Sequence, residues 1–189
     1  EVKDRILSFK PEWVGYTSYT ANISAIKIIS EKVRVANPYI KQVVGGVHAT
    51  LDKNLLNTLT CIDYSIQREG EEAFTALVEN EDPKTIPGVI SRGKNSLVNT
   101  GIAPVIKNID NLPLPEREKF WGIPESELKN VDVSYICTIR GCPYKCTYCA
   151  SPFHWDRKTT RLRSPESVIE EMKLLKENYF QATKFDYSA

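Results

Sequence analysis

The class of this chain is narrowed first by what its sequence lacks. No apolar run among the 189 residues is long enough to span a bilayer, and no stretch reads as a signal peptide. Neither sign of charge is in excess. Lys and Arg number 25 against 24 Asp and Glu, a formal net charge of +1. That balance gives no global reason to expect a nucleic acid or an anionic membrane as partner. The five cysteines are odd in number and three are clustered, which argues against a secreted disulfide framework and fits a reducing cytoplasm. Charged residues make up 26% and hydrophobic residues 41%, as in a soluble globular chain of one or two domains. An initiating methionine is missing too. Glu1 falls inside a helical pattern, and residues 183–189 read as a strand leading into its loop, so the expectation is an internal fragment of a longer protein.

What is present is concentrated in one stretch, Cys142-Pro143-Tyr144-Lys145-Cys146-Thr147-Tyr148-Cys149, directly after Arg140-Gly141. Thiolates are soft ligands, and several on one short loop suit zinc or iron–sulfur chemistry. Structural zinc is usually closed by four ligands. A fourth is not evident here, although His154, five residues after Cys149, could complete a Cys3His set. The C-x3-C-x2-C spacing also differs from that of bacterial ferredoxins, and no fourth cysteine follows. Three thiolates on a four-iron cluster leave one iron open, where a substrate or cofactor can bind. The same logic separates catalytic from structural zinc. A zinc knuckle and an electron-transfer cluster remain the alternatives.

The run from Arg140 through Cys149 resembles the signature loop of radical S-adenosylmethionine enzymes. The resemblance implies that Cys142, Cys146 and Cys149 hold a 4Fe–4S cluster whose open iron chelates S-adenosylmethionine. One electron then cleaves that cofactor to a 5′-deoxyadenosyl radical, which abstracts hydrogen from substrate. Tyr148 matches the family's aromatic position near the adenine. By the same analogy Cys137 is a poor fourth ligand. Cys61 precedes a buried strand and reads as a small core residue.

Ahead of this loop, strand and helix patterns alternate. Residues 1–10 suit the end of a helix, 13–18 a strand, and 22–37 a helix with Ile26, Ile29 and Val33 on one face, stopped by Asn37-Pro38. Residues 40–44 read as a strand, 51–59 as a short helix and 62–66 as a strand. Residues 71–79 read as a helix with Phe74, Leu77 and Val78 as its apolar face. The fold class implied is α/β, a parallel sheet with helices on both faces and ligands beyond the carboxyl ends of the strands. Those ends carry Thr17-Ser18, Gly45-Gly46-Val47-His48 and Arg68-Glu69-Gly70-Glu71.

In that order, these pieces resemble the cobalamin-binding domain that precedes many radical S-adenosylmethionine cores. The resemblance implies an incomplete Rossmann-like sheet in which Thr17, Ser18, Gly45 and Gly46 line a pocket for the dimethylbenzimidazole tail of cobalamin. The Asp-x-His-x-x-Gly motif that can ligate cobalt in such domains is absent from this sequence. It would lie upstream of Glu1, and His48, in a different loop, does not take its place.

Residues 1–100 are thus expected to form the cobalamin-binding part, with a hairpin around Gly93-Lys94-Asn95. Residues 101–129 form a proline-rich connector, since proline and the residue before it exclude helix. Asp110 to Pro115 resembles the family's Leu-Pro-x-Pro bridge. Residues 130–189 begin a partial TIM-type barrel. Residues 131–136 form its first strand, which delivers the cysteine loop at its carboxyl end. Ser164 caps the following helix, Pro165 opens it, and Val168, Met172, Leu175 and Tyr179 form its core stripe. Around the loop, Arg140, Lys145, Arg157, Lys158, Arg161 and Arg163 face one acid, Asp156. They are either a solvated loop or a positive field for an anion.

The leading expectation is an oxygen-sensitive, cobalamin-dependent radical enzyme that performs methyl transfer, rearrangement or ring formation. Its substrate would be a small molecule or peptide, and its electrons would come from a donor such as flavodoxin or ferredoxin. A cobalamin-independent enzyme of methylthiotransferase type would carry a second cysteine trio in its N-terminal domain, where this chain has only Cys61. A non-catalytic iron–sulfur or zinc module is the third reading.

Overall fold

The computed structural model describes residues 1–115, 133–144, 146–155, 160–178 and 184–188. It divides into two units, Glu1–Val105 and Ile106–Ala189.

The first unit runs α1 (Val2–Ser8), β1 (Trp13–Thr17), α2 (Ile23–Ala36), β2 (Lys41–Gly45), α3 (Val47–Leu51), α4 (Leu55–Thr58), β3 (Tyr64–Ile66), α5 (Glu71–Val78), β4 (Val89–Arg92) and β5 (Leu97–Asn99). The strands form one sheet in the order β1-β2-β3-β4-β5. The first three are parallel, and the expected hairpin, β4–β5, extends the sheet antiparallel to β3.

Alternation along the strands divides the core between the two faces. Val44 and Ile90 pack with Ile26, Leu56 and Leu59 on one side. Val43 and Val89, their chain neighbours, pack with Ile66, Ala73 and Leu77 on the other. A sheet covered on both faces explains why the successive Val43 and Val44 of β2 are both buried. Ile26 and Val33 of α2 are buried as the periodicity predicts, and Ile29 packs beside Val33.

Two expectations are corrected. The single helix over 51–59 is two short helices broken at Asp52. Its carboxylate accepts from Asn54 N–H at 2.9 Å, forming the kind of local side-chain turn that competes with helix. On α5, Ala73 and Leu77 are the buried residues, while Phe74 and Val78 are 36% and 44% exposed. Phe74 instead meets Trp13 edge-on, with centroids 5.8 Å apart.

The second unit holds β6 (Val133–Cys137), β7 (Ile139–Arg140), α6 (Ser151–His154), β8 (Arg161–Leu162), α7 (Pro165–Asn178) and β9 (Lys184–Ser188). β6 and β9 pair in parallel with α7 between them in the chain, forming one β-α-β unit. Ile136 and Leu175 are fully buried against each other, flanked by Val168, Met172 and Leu174. Burial at this level stabilises by about 1.5–3 kcal/mol per side chain. The expected cap is present, with Ser164 Oγ accepting from Ser167 N–H at 3.1 Å. Tyr179 and residues 131–132 lie outside the described residues, as does connector sequence beyond 115.

Candidate functional site

In the first unit, the carboxyl ends of β1 and β2 are joined around one serine. Ser18 is fully buried. Its N–H donates to Gly45 O at 2.8 Å, and its carbonyl accepts from His48 N–H at 3.1 Å. Its hydroxyl donates to Gly45 O at 2.7 Å and accepts from Ala49 N–H at 3.1 Å. Thr20 Oγ1 and His48 Nδ1 lie 3.0 Å apart in the same two loops.

The adjacent glycines do different work. Gly46 has φ +93°, and a Cβ there would meet the N and O of Ser18 at 2.9 Å. Only glycine fits that turn, which launches α3. At Gly45 a Cβ would find one neighbour, Ile66 O at 3.9 Å, so there is open space on that side. Thr17 is exposed at the same end. Of the four residues expected to line a cofactor pocket, Thr17 and Gly45 present open surface, while Ser18 and Gly46 build the loops that frame it. That arrangement fits a cofactor lying on the strand ends.

The next strand end adds a latch that the sequence did not suggest. Thr50 Oγ1 donates to Gly46 O at 3.0 Å and accepts from Arg68 N–H at 2.8 Å. This holds Arg68 in a left-handed conformation, φ +63°, beyond β3. Cys61, expected as a core residue, is only partly buried ahead of β3 and is not among the buried residues of the core.

In the second unit, the cysteine loop follows β6 and the two-residue strand β7. Gly141, buried with φ +97°, turns the chain into it. Cys142 and Cys149 are partly buried and Cys146 is exposed. Cys149 Sγ accepts from Ser151 N–H at 3.4 Å, a contact suited to a thiolate. Among the described residues, no three His, Cys, Asp or Glu side chains converge as a metal set. The three cysteines share a loop and have donors of the right softness for an iron–sulfur cluster, but they are not drawn together as a ligand set. His154 packs edge-on against Trp155, centroids 4.6 Å apart, and forms no such set with the cysteines. Cys137 donates its thiol to Ile139 O at 3.3 Å. Tyr148 is 91% exposed, leaving both ring faces open.

Of the six cations around the loop, the three that are described, Arg140, Arg161 and Arg163, are each engaged within the second unit. Arg161 is buried and donates to Ile106 O at 2.6 Å. Arg163 is paired with Glu171 inside the unit. Arg140 lies over the Trp155 ring, 5.7 Å from its centroid. Lys145, Asp156, Arg157 and Lys158 lie outside the described residues. Asp110 accepts from Ser164 N–H with both oxygens, at 3.0 and 3.1 Å. Burial pushes its pKa up, but the hydrogen bonds from Ser164 and Ser167 and the charge of Arg163 outweigh this and hold it below the usual value. The bridge segment thus anchors the start of α7. A cleft of about 260 Å³ lies beside it, lined by Leu112, Pro113, Tyr135, Cys137 and Arg140, among others.

Comparison with known proteins agrees with both halves. Residues 1–78 match the B12 binding domain, and residues 136–185 match the radical SAM superfamily. An uncharacterized methyltransferase of Pyrococcus horikoshii is 29% identical over 179 residues, covering 92% of this chain and 39% of the relative. The anaerobic magnesium-protoporphyrin IX monomethyl ester cyclase of Rubrivivax gelatinosus is 28% identical over 188 residues, covering 93% and 33%. This chain thus spans well under half the length of these relatives. Among solved structures, the radical S-adenosylmethionine methyltransferase TsrM from Kitasatospora setae, with cobalamin and a 4Fe-4S cluster bound, superposes with a TM-score of 0.69. It is 20% identical, and the match covers 94% of this chain and 38% of TsrM. That likeness is one of fold. No helix among the described residues is long and apolar enough to cross a membrane.

Proposed function

We propose that this chain, a B12-binding domain joined to a radical SAM segment, is part of a cobalamin-dependent radical S-adenosylmethionine enzyme. The observation that carries the reading is the placement of the cysteine trio. It leaves the carboxyl end of a strand in a β-α-β unit, the end where barrels of this kind do chemistry. Cys142, Cys146 and Cys149 are the cluster ligands, with Cys149 steadied by the Ser151 N–H. Tyr148 offers its open ring face to the adenine of S-adenosylmethionine. Thr17 and Gly45 line the cobalamin site, while Ser18 and Gly46 hold its loops together. When bound, the cluster supplies the electron that cleaves S-adenosylmethionine, and cobalamin supplies a methyl carrier or radical partner.

The reaction is methyl transfer, rearrangement or cyclisation on a small-molecule or peptide substrate. A small electron-transfer protein such as flavodoxin or ferredoxin is the electron donor, and the setting is an anaerobic or reducing cytoplasm. The domain limits follow the same reading, with residues 1–100 for cobalamin, 101–129 as connector and 130–189 opening the barrel.

Two assays on the full-length protein test this. Equilibrium dialysis against hydroxocobalamin is expected to give about one cobalamin per chain. Under dithionite, chromatography is expected to show 5′-deoxyadenosine formed from S-adenosylmethionine. Binding without cleavage would remove the radical reading, and cleavage without binding would remove cobalamin from it.

A further inference from the structure

In the second unit, Arg163 and Glu171 form an ion pair with side chains 10% and 2% exposed. Arg163 occupies nearly all its donors. Nη1 reaches Glu171 Oε2 and Cys137 O, and Nη2 reaches the carbonyl and hydroxyl of Ser167 at 3.0 and 2.9 Å. Its backbone N–H donates to Thr138 O at 3.0 Å. Cys137 and Thr138 are the residues through which β6 passes into the cysteine loop. Beyond them, β7 is held by β8, with Arg140 opposite Arg161.

A buried ion pair is weak evidence for stability, because well-packed apolar residues do the same work without desolvating charge. Its geometric effect here is specific. One guanidinium fixes the carbonyl at the end of β6 to the first turn of α7, only five residues before Cys142.

We propose that Arg163 and Glu171 are positioning residues for the cluster. They set the stem of the loop that carries Cys142, Cys146 and Cys149, rather than serving as generic core contacts. The inference rests on the radical SAM reading above.

The test uses the full-length protein reconstituted anaerobically with iron and sulfide. It compares the parent with Glu171→Gln, Arg163→Lys and the apolar pair Arg163→Met/Glu171→Leu. The readouts are iron per chain, the paramagnetic resonance spectrum of the reduced cluster with and without S-adenosylmethionine, and thermal unfolding. The apolar pair is expected to unfold within a few degrees of the parent. Its iron is expected to fall at least twofold, or its spectrum to lose the response to S-adenosylmethionine. Arg163→Lys is expected to lie between the two. Glu171→Gln keeps shape and hydrogen bonding. It is expected to stay close to the parent, whereas Arg163→Lys, which loses the guanidinium fork to Cys137 O and Ser167, is expected to fold with reduced iron or a changed spectrum, so the question stays answerable if the apolar pair unfolds. Full iron and an unchanged spectrum in folded Arg163→Lys or in the folded apolar pair would overturn the positioning role alone. A parent chain that takes up no cluster would overturn the radical reading, and this inference with it.

Discussion

Alanine at Gly46 and alanine at Gly45, one residue apart, should have opposite consequences. Gly46 has φ +93° and ψ −171°, a region essentially reserved for glycine. Holding an alanine there costs about 1–3 kcal/mol in backbone strain. Its Cβ would also lie 2.9 Å from both the N and the O of Ser18 and 3.3 Å from Thr17 Cγ2. The serine backbone cannot yield alone, because its N–H and C=O are bonded to Gly45 and His48. Relieving that overlap adds about 1–3 kcal/mol, the usual cost of overpacking. A total of roughly 2–6 kcal/mol lowers Tm by at least about 4 °C in a chain of this size. Gly45→Ala places its Cβ 3.9 Å from Ile66 O, an ordinary contact, so Tm should stay within about 2 °C. If the open side of Gly45 faces cobalamin, the same variant should weaken cobalamin binding at least tenfold. The assays are thermal unfolding by circular dichroism and titration with hydroxocobalamin. An unchanged Tm for Gly46→Ala, or equal losses of stability in both variants, would refute the packing argument.

Removing one partner of the buried pair, as in Glu171→Leu, should cost about 3–5 kcal/mol by leaving Arg163 uncompensated, whereas the apolar double replacement should be close to neutral. Urea unfolding checks this, and a loss below about 1 kcal/mol in the single variant would contradict the burial. The Asp110 carboxyl titrates below its ordinary value of 3.8, so its stabilising effect is present above about pH 4 and is lost as pH falls through the folded-state pKa. Asp110→Asn should therefore show a smaller drop in Tm than the parent between pH 5 and about pH 3. Parallel curves would remove Asp110 as an anchor of α7. Replacing Cys61 or Cys137 by alanine should leave iron uptake intact, while alanine at Cys142, Cys146 or Cys149 should abolish it, as measured by iron content after reconstitution.

Much of the fold was legible because its signals are local. The Val43-Val44 pair of β2 running into Gly45-Gly46, the Ile26–Ile29–Val33 spacing in α2 and the Ser164-Pro165 start of α7 each mark an element without reference to distant residues. The exceptions depend on tertiary contacts. Nothing in 51–59 shows that the Asp52 side chain will break the helix. Ala73 displaces Phe74 from the interior because Phe74 finds a ring contact with Trp13. β7 and β8 are two residues each, too short to show alternation.

The site divides in the same way. The cysteine trio is a sequence-local motif and is plain in the chain. The division of labour between Gly45 and Gly46 depends on how closely Ser18 approaches, which no spacing reveals. Arg161 and Arg163 sit in a charge-rich stretch, yet Arg161 is buried and Arg163 largely so, because backbone carbonyls and Glu171 accept their hydrogen bonds. One signal for Glu171 was available. It falls three residues after Val168 and four before Leu175, which puts a carboxylate on the apolar stripe of α7.

The central claim is an open iron held by three cysteines. It is tested most directly by the paramagnetic resonance spectrum of the full-length protein, reconstituted anaerobically with iron and sulfide, then reduced. The account predicts a 4Fe–4S signal that shifts when S-adenosylmethionine is added. An unshifted signal would mean a closed or electron-transfer cluster, and stoichiometric zinc without iron would mean a structural loop. Either result would contradict the account.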